Sequence, residues 1–296
     1  ESERTAHRLG DIRGRTNLNH IVVPMGPTGT WGLAQRVGRI AAKLPQASLF
    51  HARSDPSFAS TMLRHPFGKV IWDVRSRWAT QKQVIGGPAT AATRIAQQIE
   101  RVAVRRSSAL MTLTQLAADD LEEQWGSLPS LRLVLPTLTD TSHFRFSPSL
   151  PNRPVRLLFS GSFNKFYDIQ LAWKFCCAVS EQTQVETAWA REASSPPSEL
   201  DRLDLNDIMV RCYADLPNVI ADSTAGLSIC RLDAGPSLRA AVPTKIGEFL
   251  STGRPIVISR GLGGLDDMVR DNRIGVVIDQ THDSLRVSTG DVQFLV

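Results

Sequence analysis

The stretch PTKIGEFLSTGRPIV, residues 243–257, sets Lys245 and Glu248 at the start of an amphipathic helix that feeds a β-branched strand. A carboxylate near a helix N-terminus gains roughly 0.3–1 kcal/mol from the dipole and needs no further role. Here, however, a long loop, RLDAGPSLRAAV (231–242), leads into the helix and Gly-x-Pro leads out of it. That setting suits a carboxylate in a cleft, able to accept hydrogen bonds from two vicinal hydroxyls as on a ribose. Thr244 is placed to cap the helix, so that its first N–H groups and Lys245 face an anion. A second candidate follows the run VRLLFSG (155–161), where Gly161, Ser162 and Lys165 offer backbone N–H groups and a point charge suited to phosphate. An ordinary βα turn with a surface lysine reads equally well there. On the other half of the chain, KVIWDVRSRW ends in Asp73, Arg75 and Arg77, and His51 and Arg53 follow SLF. Thr114, after ALMTL, reads as a helix cap.

Several chemistries are missing from the sequence. There is no G-x-x-x-x-G-K-[ST] loop, no H-E-x-x-H and no G-x-S-x-G, and the Gly-rich GLGGLDD (261–267) reads as a turn. No Asp-x-Asp occurs, which argues against a diphosphate held through a metal between two aspartates. The four cysteines, Cys176, Cys177, Cys212 and Cys230, form no C-x-x-C pair and read as buried thiols in a reducing cytoplasm.

The elements that must position these residues alternate. Strands are expected at 20–25, 48–53, 69–75, 109–114 and 131–136, and again at 155–161, 185–190, 208–213, 226–230, 255–259 and 275–279. Helical spacing lies between them, at 30–44, 89–107 and 168–182 among others. In the first of these Leu33, Val37, Ile40, Ala41 and Leu44 point inward, while Arg36, Arg39 and Lys43 form a basic outer face. Strand and helix in alternation mean βαβ units and parallel sheets. The Ser/Pro-rich FRFSPSLPNRP (144–154) reads as a linker. The expected architecture is therefore two doubly wound α/β domains, 1–145 and 155–296, joined through 146–154 and facing each other across a cleft. Residues 1–16 read as a helix end without its preceding strand, and the C-terminus as lacking a closing helix, so pieces are expected to be missing at both ends.

Across the 296 residues, 1–150 carry 19 Lys+Arg against 11 Asp+Glu, and 151–296 carry 15 against 18. A basic first half points to an anionic neighbour, either a phosphorylated substrate or a membrane surface touched peripherally. The Arg residues are scattered without interleaved aromatics, so no nucleic-acid partner is expected. No apolar run approaches the ~18 residues of a membrane span, and no signal-peptide layout opens the chain; the expected location is the cytoplasm.

Taken together, RLLFSGSFNKFYD (156–168), YADLPNVIADSTAGLSICRLD (213–233), VPTKIGEFLSTGRPIVIS (242–259) and IGVVID (274–279) resemble the donor-binding domain of GT-B glycosyltransferases, family 4 in particular. KVIWDVRSRW and the stretch from ALMTLTQLAADD to DTSHF resemble the acceptor-side domain and its crossing into the linker. The resemblance implies two Rossmann-like domains that move a sugar from a nucleotide-diphosphate donor (UDP-, GDP- or TDP-linked) to an acceptor hydroxyl. It also implies retention of configuration, with no bound metal and no cofactor beyond the co-substrate. It makes Glu248 the ribose-binding acid and places Tyr213 near the base. The family's first glutamate, eight positions before Glu248, is replaced here by Ala240, which leaves Asp233, Ser237 or the amides around Gly235 to meet the donor sugar. The family's phosphate-binding Arg/Lys slots read Gly161-Ser162 and Tyr167-Asp168, which leaves Lys165, Arg231 or Lys245 to supply the charge. Asp73 is the candidate base on the acceptor side, with Arg75 and His51 beside it. The acceptor class stays open between a glycan, a lipid-linked sugar and a small molecule. Two other functions stay open as well: an epimerase of the same shape, and a GT-B-like protein that binds a nucleotide sugar or a partner without turnover.

Overall fold

The computed structural model describes residues 23, 29–77, 79–81, 90–148, 154–161, 166–192, 206–210, 213–279 and 284–295. Apart from Val23, the strand expected at 20–25 lies outside them, as do Ser162, Lys165 and Cys212.

Ten strands form two parallel sheets among the described residues. The first has the order β1-β2-β3-β4, from Leu49–Arg53, Lys69–Val74, Ala109–Thr112 and Arg132–Val134. Helices α1 (Gly29–Lys43), α2 (Asp55–Arg64), α3 (Ala91–Arg106) and α4 (Gln115–Trp125) alternate with these strands. Phe50, Ala52, Val70, Trp72, Val74 and Leu110 pack with Phe58, Ala103, Val104 and Leu121 in one core. Thr114 caps α4 by accepting from the Ala117 N–H at 3.0 Å, as its place in the sequence predicts.

The second sheet holds β5 (Val155–Ser160), β6 (Val185–Glu192), β7 (Asn206–Val210), β8 (Ala225–Ser228), β9 (Ile256–Ser259) and β10 (Gly275–Ile278) in the order β10-β9-β8-β5-β6-β7. Side chains on β5 alternate between two cores. Leu157 and Phe159 pack with α5 (Ile169–Ser180), while Leu158 packs on the opposite face with Ile246 and Phe249 of α8 (Thr244–Ser251). Each such fully buried side chain contributes about 1.5–3 kcal/mol. The chain runs outward from β5 through β6 to β7, then returns to place β8 on the other side of β5. That reversal between β5 and β8 is the switch point where open α/β sheets leave a crevice outside their strand ends.

The end of the chain differs from the sequence expectation. A closing helix is present, α10 (Thr289–Leu295), because Val292 and Leu295 are spaced to bury one edge against the Leu157 core. Residues 261–267 do form a turn, in which the Gly261 N–H donates to the Asp266 carboxylate at 2.8 Å. Cys176, Cys177 and Cys230 are free thiols; Cys176 and Cys230 are buried as expected, whereas Cys177 points the other way on its helix and is exposed.

Candidate functional site

Four segments converge at the reversal between β5 and β8. Gly161 follows β5 with φ +85, a backbone setting that a side chain resists, and no described residue stands within 4 Å of where its Cβ would lie. Its N–H donates to Ala190 and its carbonyl accepts from the Trp189 indole at 2.9 Å, so the exposed turn is pinned to β6. The loop then returns as an antiparallel bridge between Tyr167 and Cys230, with the Arg231 N–H donating to Phe166 at 2.9 Å. Asp168 accepts from the Leu171 N–H at 2.9 Å and thereby caps α5.

Helix α8 faces this loop. Pro243 occupies its cap position, Thr244 is its first residue, and no side chain caps it; Thr244 therefore does not cap the helix, because the preceding proline takes the extended conformation a cap requires. Lys245 is 9% exposed and its ammonium stands 4.3 Å from the centre of the Tyr167 ring, a cation–π contact. Burial lowers its pKa to about 8, against the opposing pull of Cys230 and Glu248. The same burial pushes the Cys230 thiol up to about 12.

One turn on, Glu248 is 8% exposed, and its carboxylate makes no hydrogen bond or ion pair among the described residues. Burial raises its pKa, and the charges of Lys245 and His143 pull it back. Beside it the Tyr213 ring stacks on His143, with centroids 4.7 Å apart and planes at 21°, and Phe144 meets both rings edge-on. The His143 Nε2 lies 3.1 Å from the Tyr213 carbonyl. The crossing segment that delivers His143 lies close over α8: a Cβ at Gly247 would fall 2.2 Å from Thr139 Oγ1, so glycine leaves room for the Thr139 side chain. Sequence reasoning missed His143, whose only signal was a histidine in the crossing segment.

The loop before α8 serves a different end. Arg231 and Asp233 form a bidentate pair with each other at 2.9 and 2.6 Å, which holds the Arg231 guanidinium charged. Ser237 is buried, its hydroxyl 3.5 Å from the Arg77 carbonyl, and Arg239 pairs with both oxygens of Asp120. Thr114 Oγ1 donates to the Arg239 carbonyl at 2.8 Å. This loop thus bolts one sheet's strand ends to the other's. Ala240, in the slot where the resemblance puts a glutamate, is 2% exposed.

Across the junction, Asp73 is 1% exposed and receives His51 Nε2 at 3.1 Å and Arg75 Nε at 3.0 Å. Arg77 is buried, with Nε and Nη2 paired to Glu100 at 2.7 and 2.8 Å. The sequence candidates therefore fall into groups. Lys245, Glu248 and Tyr213 come together with Tyr167 and His143; Asp73, Arg75 and His51 form a second cluster; Arg231 turns to Asp233; and Ser237 joins the lobes. Gly161 lies at the reversal, and Ser162 and Lys165 fall outside the described residues. Among the described residues no three of His, Cys, Asp or Glu gather as a metal-ligand set, and no helix is long and apolar enough to cross a membrane.

No family model matches the sequence, and no curated protein matches it. Solved structures do match. The chain is similar to sucrose-phosphate synthase of Thermosynechococcus elongatus at TM-score 0.68 and 15% identity, covering 93% of this chain and 75% of that one. It is similar to TarM at TM-score 0.59 and 14% identity, covering 84% of this chain but only 48% of the other. A third match is Anabaena Alr3699/HepE, a structure in complex with UDP-glucose, at TM-score 0.58 and 14% identity over 83% of this chain and 68% of that one. These likenesses show that the fold is that of the GT-B glycosyltransferases.

Proposed function

We propose that this protein transfers a sugar from a nucleotide-diphosphate donor to an acceptor hydroxyl, with retention and without a metal. The observation that carries the reading is Glu248, an almost buried carboxylate with no protein partner among the described residues, at the switch-point crevice. An acid largely covered by protein, yet with no protein donor to its oxygens, leaves those oxygens to a ligand that brings donors. A ribose diol does so, and the exposed Tyr213 ring beside it offers a face for the base. The UDP-glucose complex of a protein with this fold supports the same choice of ligand.

The diphosphate would lie between Lys245 and the turn at Gly161. As the glycosidic bond breaks, its electron pair goes to the diphosphate oxygen, where the Lys245 ammonium and helix-start N–H groups stabilise the charge. The acceptor oxygen bonds to the anomeric carbon on the face the diphosphate leaves, and its proton passes to the departing phosphate oxygen. Asp73, expected as the base, is buried with His51 and Arg75 as its donors, and in this proposal it positions Arg75 on the acceptor side instead of taking the proton. A second reading, nucleotide-sugar binding without turnover, is favoured by the buried Ala240 where the resembling family has an acid.

Incubation with UDP-, GDP- and TDP-sugars, with and without EDTA, tests the proposal. Slow nucleotide release that EDTA leaves intact supports it. Binding without release selects the second reading, and an altered sugar still joined to its nucleotide marks an epimerase.

A further inference from the structure

A second concavity, of about 210 Å³, lies at the carboxyl ends of β1 and β2, lined by Arg36, Ser54, Asp55, Pro56, Arg75 and Ser76. At ~30 Å³ per water it has room for on the order of seven waters or one small polar ligand. The donor chemistry above uses none of its walls except Arg75.

Arg36 is the first pointer. Helical spacing puts it on a solvated basic face, yet its Nε is buried and without a partner among the described residues. Arg75 spends only Nε on Asp73, so its two terminal nitrogens make no hydrogen bond among the described residues. A guanidinium stays charged, and two of them on one concavity call for an anion. Asp55 is the second pointer: it is 4% exposed, and its Oδ2 is buried with no partner among the described residues. Burial, reinforced by Glu100 and offset by Arg77 and by the nearby Trp72 indole, lifts its carboxyl to about 7. Ionised, Asp55 accepts from a ligand hydroxyl; protonated, it donates to a ligand oxygen, so a sugar that carries both a hydroxyl and a charged group serves it in either state. The wall formed by Ser54, Asp55 and Pro56 is also the start of α2, with its favourable dipole. Ser54 holds φ 104 and ψ 160, a region almost reserved to glycine, at a cost of order 1–3 kcal/mol.

We propose that this pocket binds a small hydroxylated anion, a sugar phosphate or a sugar acid, with its charged group between Arg36 and Arg75 and a hydroxyl on Asp55. This deepens the transfer reading by giving the acceptor its chemical class, and the word acceptor rests on that reading; the binding itself does not.

Calorimetric titration of the full chain with glucose 6-phosphate, glucuronate, glucose and inorganic phosphate tests it. At least one charged sugar should bind tenfold or more tighter than both glucose and inorganic phosphate, and the tighter of the two identifies the anionic group. Arg36→Gln and Arg75→Gln should each weaken that binding tenfold or more; Arg36 sits on a partly exposed helix face, so its variant should melt with the wild type. No binding of either charged sugar, equal binding of glucose, equal binding of inorganic phosphate, or indifference to both substitutions would overturn the proposal. UDP is titrated in parallel against wild type and Glu248→Gln. Charged-sugar binding without UDP binding sinks the donor reading and leaves this one; the reverse sinks this one and leaves the donor reading.

Discussion

Asp73 and Glu248 are both acids at strand or helix ends, both flagged by the sequence, and both almost fully buried. Their surroundings differ. Asp73 already has its donors, His51 and Arg75, and its neighbour Arg77 is locked to Glu100, which also receives the Trp125 indole at 2.8 Å. Glu248 has none among the described residues and faces aromatic rings and a cation one turn away. A satisfied buried acid is part of the architecture, while an unsatisfied one at a crevice is kept for something that arrives.

The widest expected gap between these regions is in stability. Arg77→Leu leaves the Glu100 charge buried without its cation and should cost about 3–5 kcal/mol, read as a shifted urea midpoint. A loss near zero would mean that the N-terminal cluster is not structural. Next, Asp73→Asn should lower stability by about 1–3 kcal/mol while leaving nucleotide affinity unchanged. Glu248→Gln should do the opposite: nucleotide affinity falls at least tenfold, about 1.4 kcal/mol, with stability held or raised. If the two variants swap phenotypes, the comparison is broken. The smallest effect concerns Lys245, whose ammonium is present below about 8 and lost above it because burial depresses its pKa. Preference for nucleoside diphosphate over nucleoside should therefore fall as pH rises through that region, and Lys245→Met should remove both the preference and its pH dependence. Equal losses for diphosphate and nucleoside would remove the phosphate contact.

Much of this was legible in advance. The ten described strands fall where β-branched or apolar runs recur, most plainly at β5, β8 and β9, where a parallel strand buried on both faces is nearly continuously apolar. Glu248 stood out in the sequence as an acid on a helix between a long loop and Gly-x-Pro, and the structure buries it there. Thr114 was legible because its capping partner lies three residues away. Arg36 does lie on a partly exposed face, as read, but its Nε is buried, since periodicity assigns a face and not what stands against it. The Arg231–Asp233 pair and the Arg239–Asp120 clamp were invisible for another reason: short-range pairing and a contact across 119 residues look alike as scattered charges.

Residue order by itself determined the alternation of elements, the two sheets and the helix that carries Lys245 and Glu248, because those rest on local spacing and on apolar burial. Only the tertiary structure decided which charges are already answered by the protein and which are left open. That choice depends on groups brought together from distant segments, His143 against Tyr213 and Arg36 onto the same concavity as Asp55, and such proximity has no periodic trace along the chain.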